Sequence, residues 1–379
     1  MQTVKRCYFA CLYLVFAGHI GAVLADDSDA VLSIDHYVTH RSTVASIEGQ
    51  YVQLYLRERV LPAVALRGAD LAGRVVLFVH GAGTPAEVAF DVPHQDYSWM
   101  AYLAASGYDV FSVDMTGYGR STRPPIMNNS CNLSADNQID LRLRNAPCRS
   151  SATGPATTIQ SDWDDINRTV DYIRELRGVE RVSLFGWSLG GPRAGGYAAQ
   201  NPNKVDKLVL LAPAYSRDLP SEQPAADDGP VMTSQSQASF VSNWNRQVGC
   251  SNQYDREVAE SVWSEMLASD VVGATWGPGM RRAPRTAVWG WNQAMVSRSR
   301  TPTLMIAAVH DAQVNADRVR DLFDDLGAEQ KVLLDLGCAS HNAMWERVHL
   351  DMFAASLEWL NSGTVDGMTR GVVRRGYRN

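Results

Sequence analysis

At residues 181–191 an apolar run, Arg181-Val182-Ser183-Leu184-Phe185, breaks directly into Gly186-Trp187-Ser188-Leu189-Gly190-Gly191. A buried strand that turns into a helix through G-x-S-x-G constrains everything built around it. The turn is so tight that side chains two before and two after the serine would strike neighbouring backbone, so glycine stands at both places. The serine at the apex is held in a strained backbone conformation, its Oγ pointing into a site and its backbone near a helix N-terminus. Such a turn has a use only if the remaining chain supplies a sheet, a base, an acid and further hydrogen-bond donors.

The sheet is legible. Residues 74–79, 108–113, 207–211, 303–307 and 331–334 are continuous apolar strands, and residues 48–60 alternate as a further strand. Helical spacing occupies 97–106, 162–177, 317–326 and 342–360, and another helix runs from the serine turn to Gln200. Buried strands alternating with amphipathic helices imply an α/β fold, a mostly parallel central sheet flanked by helices on both faces. Residues 215–300 are too long for a crossover. Residues 216–237 are rich in Pro, Ser and Asp and read as a hinge. From residue 238 onward Trp244, Trp263, Trp276, Trp289 and Trp291 stand among helical stretches. This segment reads as a helical cap insertion whose indoles either cover a site or pack the cap's own core. The core therefore divides into residues 26–214 and 301–362 around a cap of 215–300. Residues 363–379, with Arg370, Arg374, Arg375 and Arg378, read as a solvated basic tail, and the stretch before residue 48 as loose.

Composition narrows the class. The 379 residues are 45% hydrophobic with a net charge of −6, and no sustained basic face argues for nucleic acid. Lys5 and Arg6 precede an apolar run from Cys7 to Ala17, and Ala22-Val23-Leu24-Ala25 precedes Asp26-Asp27. Residues 1–25 thus read as a cleavable signal peptide, too short and interrupted to span a bilayer, which implies a secreted or periplasmic protein without stable membrane insertion. Four cysteines then remain. Cys131 and Cys148 share one loop and are the favoured disulfide, and Cys250 with Cys338 follows by elimination. None has a C-x-x-C partner, so neither zinc nor any other metal is expected.

The chain resembles the α/β-hydrolase superfamily, in its capped serine-hydrolase branch of esterases, lactonases and iminopeptidase-like enzymes. The resemblance rests on His80-Gly81-Ala82-Gly83 after a strand, Asp114 to Ser121 as D-x-x-G-x-G-x-S, the Ser188 turn, and the order Ser, Asp, His, over roughly residues 48–361. It implies Ser188 as nucleophile, Asp311 as the acid after the post-cap strand, and His341 as the base after the last strand. It also implies an oxyanion hole from the N–H groups of Ala82 and Leu189. Asp218 and Asp335 are the competing acids, while His80 and His349 are expected to be structural. Trp187 and His94 are candidate substrate contacts, and Glu87 lies in the same long loop as His94. The implied reaction needs no cofactor: cleavage of a small-molecule carboxylic ester or lactone through an acyl-enzyme. Amide cleavage of the iminopeptidase kind and a non-catalytic small-molecule binder are the alternatives. A serine in place of an aspartate nucleophile disfavours epoxide and halide chemistry.

Overall fold

The structure is a computed structural model that describes residues 30–66, 69–140, 146–225 and 227–377. The expected signal peptide lies outside the described residues. Nine strands form the central sheet: β1 (Leu32–Arg41), β2 (Tyr51–Val60), β3 (Val75–Val79), β4 (Asp109–Val113), β5 (Val182–Trp187), β6 (Val205–Leu211), β7 (Thr303–Ala308), β8 (Lys331–Leu336) and β9 (Arg370–Arg375). Their spatial order is β1-β2-β4-β3-β5-β6-β7-β8-β9. The β1–β2 and β2–β4 pairs are antiparallel, and every later pair is parallel.

Alternate side chains of the inner strands feed two separate cores, as the pleat requires. Val76, Phe78, Phe185, Val209, Ile306 and Leu334 pack on one face with the helices Trp99–Ala105 and His349–Ser362. Leu77, Val79, Leu184, Leu210, Met305 and Leu333 pack on the other with Ile159–Arg177, Gly196–Gln200 and Ala316–Asp325. The helix Ile159–Arg177 starts on a capping box between Thr158 and Ser161 and stops at Gly178, which has φ 63°.

Three expectations are corrected. Residues 30–47, within the stretch expected to be loose, are ordered into a strand and a short turn of helix. In β1 Leu32, Ile34, His36, Val38 and His40 are turned inward while the residues between them are exposed. The basic end is not a frayed tail, because β9 closes the sheet beside β8 with Val373 buried. There Arg375 is paired with Glu358 at 2.7 Å and with Asp366, which ties the end back to the last helix. The insertion is not purely helical. It carries the helices Gln237–Asn245 and Arg256–Ser269, together with an antiparallel ribbon of Met232–Ser236 and Met280–Pro284.

Both expected disulfides are formed, with Cα–Cα separations of 5.3 Å for Cys131–Cys148 and 5.7 Å for Cys250–Cys338. Among the described residues, no helix is long and apolar enough to cross a membrane.

Candidate active site

β5 runs into Ser188, which has φ 57°, a left-handed value that costs a non-glycine residue of order 1–3 kcal/mol. Three hydrogen bonds hold it there. Ser188 N donates to Leu211 O at 3.0 Å, and Ser188 O accepts from Gly191 N at 2.8 Å and Ala214 N at 2.9 Å. The loop after β3 passes against this turn: a β-carbon on Gly81 would lie 2.8 Å from Ser188 Cβ and 2.9 Å from Trp187 O. Only glycine permits that approach. The N–H groups of Leu189 and Ala82 donate to no acceptor among the described residues, which leaves two unspent donors beside the serine.

This end of the site is braced from inside the α/β core. Arg193, fully buried in the first turn after the elbow, donates through Nε to Asp162 Oδ2 at 2.7 Å. Its Nη1 donates to the carbonyls of His80 and Gly81, each at 3.0 Å. His80 is buried as well. Its Nε2 accepts from Met115 N at 3.1 Å, so Nδ1 carries the proton and donates to Gly81 O at 2.7 Å. Burial, reinforced by the Arg193 charge, holds its pKa well below the ordinary imidazole value. His80 is therefore a neutral strut of the loop, as expected. Asp114 closes the same neighbourhood, accepting from Ala86 N at 2.7 Å and Arg120 N at 3.0 Å.

The other end stands on the loops after β7 and β8. Asp311 Oδ1 accepts from Gln313 N at 2.7 Å and Val314 N at 2.8 Å, which fixes the carboxylate plane. Its Oδ2 lies 2.7 Å from His341 Nδ1, both side chains being buried. Trp187 then ties the two ends together. Its Nε1 donates to His341 O at 2.9 Å, and its ring centroid lies 5.4 Å from the imidazole. Ser188 Oγ has no hydrogen-bond partner among the described residues, and the link between the serine turn and the His341 loop runs through the neighbouring Trp187. Catalytic hydrogen bonds commonly tighten only when substrate arrives.

The insertion braces this second end. Gln247 Oε1 accepts from Ala312 N at 3.1 Å and from His341 N at 3.4 Å, one acceptor holding both loops. Buried Glu346 accepts from Ser340 N at 2.7 Å, Trp244 Nε1 at 2.8 Å and Gln253 Nε2 at 2.9 Å. Burial pushes its pKa up against those hydrogen bonds. The Cys250–Cys338 bridge fastens the same insertion segment to the loop that carries His341.

A family model described as alpha/beta hydrolase fold matches residues 74–348. The chain belongs to the α/β-hydrolase fold family. Among curated proteins it is similar to abhydrolase domain-containing protein lid-1 of Caenorhabditis elegans, 27% identical over 191 residues, or 50% of this chain and 43% of that one. The chain spans less than half the length of the curated relatives it matches. Among solved structures, the thioesterase domain from the curacin biosynthetic pathway aligns with TM-score 0.51 at 16% identity, over 87% of this chain and 100% of that one. The 2-hydroxy-6-oxo-6-phenylhexa-2,4-dienoate hydrolase of Rhodococcus sp. strain RHA1 gives TM-score 0.51 at 16% identity, over 87% and 99%. At these identities the likeness is one of fold.

Within this α/β-hydrolase the expected residues separate into two groups. Ser188 and Leu189 lie on the turn packed against the loop that carries Ala82, Asp311 pairs with His341, and Trp187 links the serine turn to the His341 loop. Trp187, a candidate substrate contact, is buried with its indole N–H donated to His341 O. His94 packs 6.0 Å from Tyr97 and makes no contact with Ser188, Asp311 or His341. Glu87 is buried against Arg57 at 2.9 Å and Arg120 at 3.3 Å, a structural ion pair. Asp218 is exposed, while Asp335 pairs with Arg320 at 3.3 Å, so neither competes with Asp311. His349 stacks on Tyr97 at 4.1 Å. Trp244, Trp263, Trp289 and Trp291 are buried in the two cores, which decides the question about the lid in favour of packing. Arg193, Gln247 and Glu346 escaped the sequence reading. Only Arg193 left a local signal, as the one charge in the small-residue run Gly191-Pro192-Arg193-Ala194-Gly195-Gly196.

Proposed function

We propose that this α/β-hydrolase is a cofactor-independent serine hydrolase that cleaves a carboxylic ester or lactone through an acyl-enzyme on Ser188. The observation that carries the reading is the Ser188 turn, left-handed at φ 57° and flanked by the unspent N–H groups of Leu189 and Ala82. His341 takes the Ser188 proton as Oγ adds to the substrate carbonyl. Asp311, fixed by two backbone donors, holds the imidazole tautomer and stabilises the imidazolium. The oxyanion is then met by the N–H groups of Leu189 and Ala82, each contributing on the order of 3 kcal/mol to the transition state. His341 next returns the proton to the departing alcohol, and water repeats the addition to release the acid. Two disulfides and the signal-like residues 1–25 support export to an oxidising compartment.

The test is incubation of folded protein with a fluorophosphonate, followed by peptide mapping. One label on Ser188 is expected, and S188A should lose at least about 10³-fold in kcat on p-nitrophenyl esters. A folded protein that takes no label at Ser188 would overturn the reading.

A further inference from the structure

The insertion ribbon lays one arginine across the oxyanion loop. A β-carbon built on Gly83 would fall on the Arg281 guanidinium, 2.7 Å from Nη2 and closer still to Nη1 and Cζ. Gly83, with φ 85°, follows Ala82 directly, so the cation stands one residue beyond a proposed oxyanion donor. The ribbon end is seated on the core here: a β-carbon on Gly117 would lie 3.0 Å from Pro284 Cγ.

The charge is unmatched. The flanking arginines of the insertion have carboxylates, Arg282 with Asp270 at 2.7 Å and Arg285 with Asp227. Arg123 shares Asp270 at 3.4 Å, and Arg193 has Asp162 at 2.7 Å. Among the described residues no carboxylate lies within ion-pair distance of Arg281, and the one oppositely ionisable group that faces it is the Tyr118 phenol. Among the described residues its single hydrogen bond runs from Nε to Gln235 Oε1 at 2.8 Å, across the ribbon. That bond orients the fork and leaves the Nη1–Nη2 edge unbonded, the edge that grips a carboxylate with two parallel N–H bonds. Partial burial lowers its pKa to about 10, which leaves it cationic at neutral pH. A cation partly withdrawn from water and without a carboxylate partner gains from a bound anion.

We propose that Arg281 is a specificity residue that binds a free carboxylate of the substrate, so that the ester or lactone cleaved at Ser188 carries a second acid group within a few bonds of the scissile carbonyl. This rests on the serine-hydrolase reading above. The acyl side of a dicarboxylic monoester has this form, with one carbonyl for Ser188 and a distal carboxylate for the cation beside Gly83.

The experiment compares isosteric pairs on the intact protein: p-nitrophenyl hemisuccinate against butyrate, and hemiglutarate against valerate. Wild-type kcat/KM should favour the hemiesters at least about tenfold, carried mainly by KM and weakening with salt. In R281Q the hemiester should lose at least about tenfold more than its neutral partner, and R281K should recover part of the difference. Equal wild-type rates on the two partners, or an equal loss on both in R281Q, would overturn the assignment. Binding is read apart from turnover by calorimetry, with S188A and monomethyl glutarate against methyl valerate. If Ser188 labels with fluorophosphonate but no acid preference appears in rate or binding, Arg281 is misassigned and the nucleophile stands. If Ser188 does not label while the R281-dependent acid preference persists in binding, the nucleophile is misassigned and Arg281 stands.

Discussion

The serine end and the histidine end of the proposed site are held by different parts of the molecule. Ser188, Leu189 and Ala82 are fixed by the sheet itself, through Leu211, Gly191, Ala214 and the buried Arg193–Asp162 pair. Asp311 and His341 ride on loops whose outer supports come from the insertion, through Gln247, Trp244, Gln253 and Cys250. The difference teaches that one half of the insertion is a buttress rather than a moving lid. The ribbon half reaches the opposite end of the proposed site and delivers Arg281.

Substitutions should separate the two ends. The largest effect is expected from Arg193→Met, which strands Asp162 and the carbonyls of His80 and Gly81 in the core. A stability loss of about 3–5 kcal/mol is expected from breaking a buried pair, together with loss of activity, read by urea unfolding and ester turnover. An unchanged unfolding midpoint would show that the nucleophile end does not depend on that brace.

Next comes Gln247→Leu, which leaves the N–H groups of Ala312 and His341 without their acceptor. A cost of about 1–3 kcal/mol is expected. The kcat should fall roughly tenfold with KM nearly unchanged, since positioning of the base acts on the transition state. If KM alone moves, Gln247 belongs to substrate binding and the buttress picture is wrong.

The smallest effect concerns pH. Burial raises the carboxyls of Asp165 and Asp109 to about 7. A carboxyl that holds its proton more tightly when folded contributes most below its unfolded value near 4, and that contribution is lost as pH rises through about 7. Stability should therefore decline from about pH 4 to pH 7 and level off above it. Asp165→Asn, which keeps an acceptor for Thr116 N, should flatten the decline by on the order of 1 kcal/mol in denaturant titrations. Because Asp165 lies on the core helix, KM should stay put. A shift in KM instead would mean that the core end also shapes the pocket.

Much of the fold was legible because its signals are local. The inner strands are continuous apolar runs, and the serine turn advertises itself through glycines whose absent side chains its backbone crossing requires. β1 carries the alternation Leu32, Ile34, His36, Val38, yet the histidines at its inward positions disguised it. β9 offered little, since arginines flank Gly371, Val372 and Val373. An edge strand with one buried residue has no periodicity to read. The tryptophans of the insertion misled for a different reason, because an indole packs a core and lines a pocket with the same chemistry.

By itself the sequence determined the α/β alternation, the strained serine and an even set of cysteines with Cys131–Cys148 favoured, because each depends on spacing along the chain or on counting. Tertiary structure alone decided that the Trp187 indole N–H is bonded to His341, that Glu87 is sealed into an ion pair, and that Gln247 and Glu346 hold the loop that carries His341. It also decided that Arg281 comes to rest on Gly83, nearly 200 residues away in the chain. Those contacts join segments remote in sequence, and their partners are ordinary polar side chains whose roles depend on what folding places beside them.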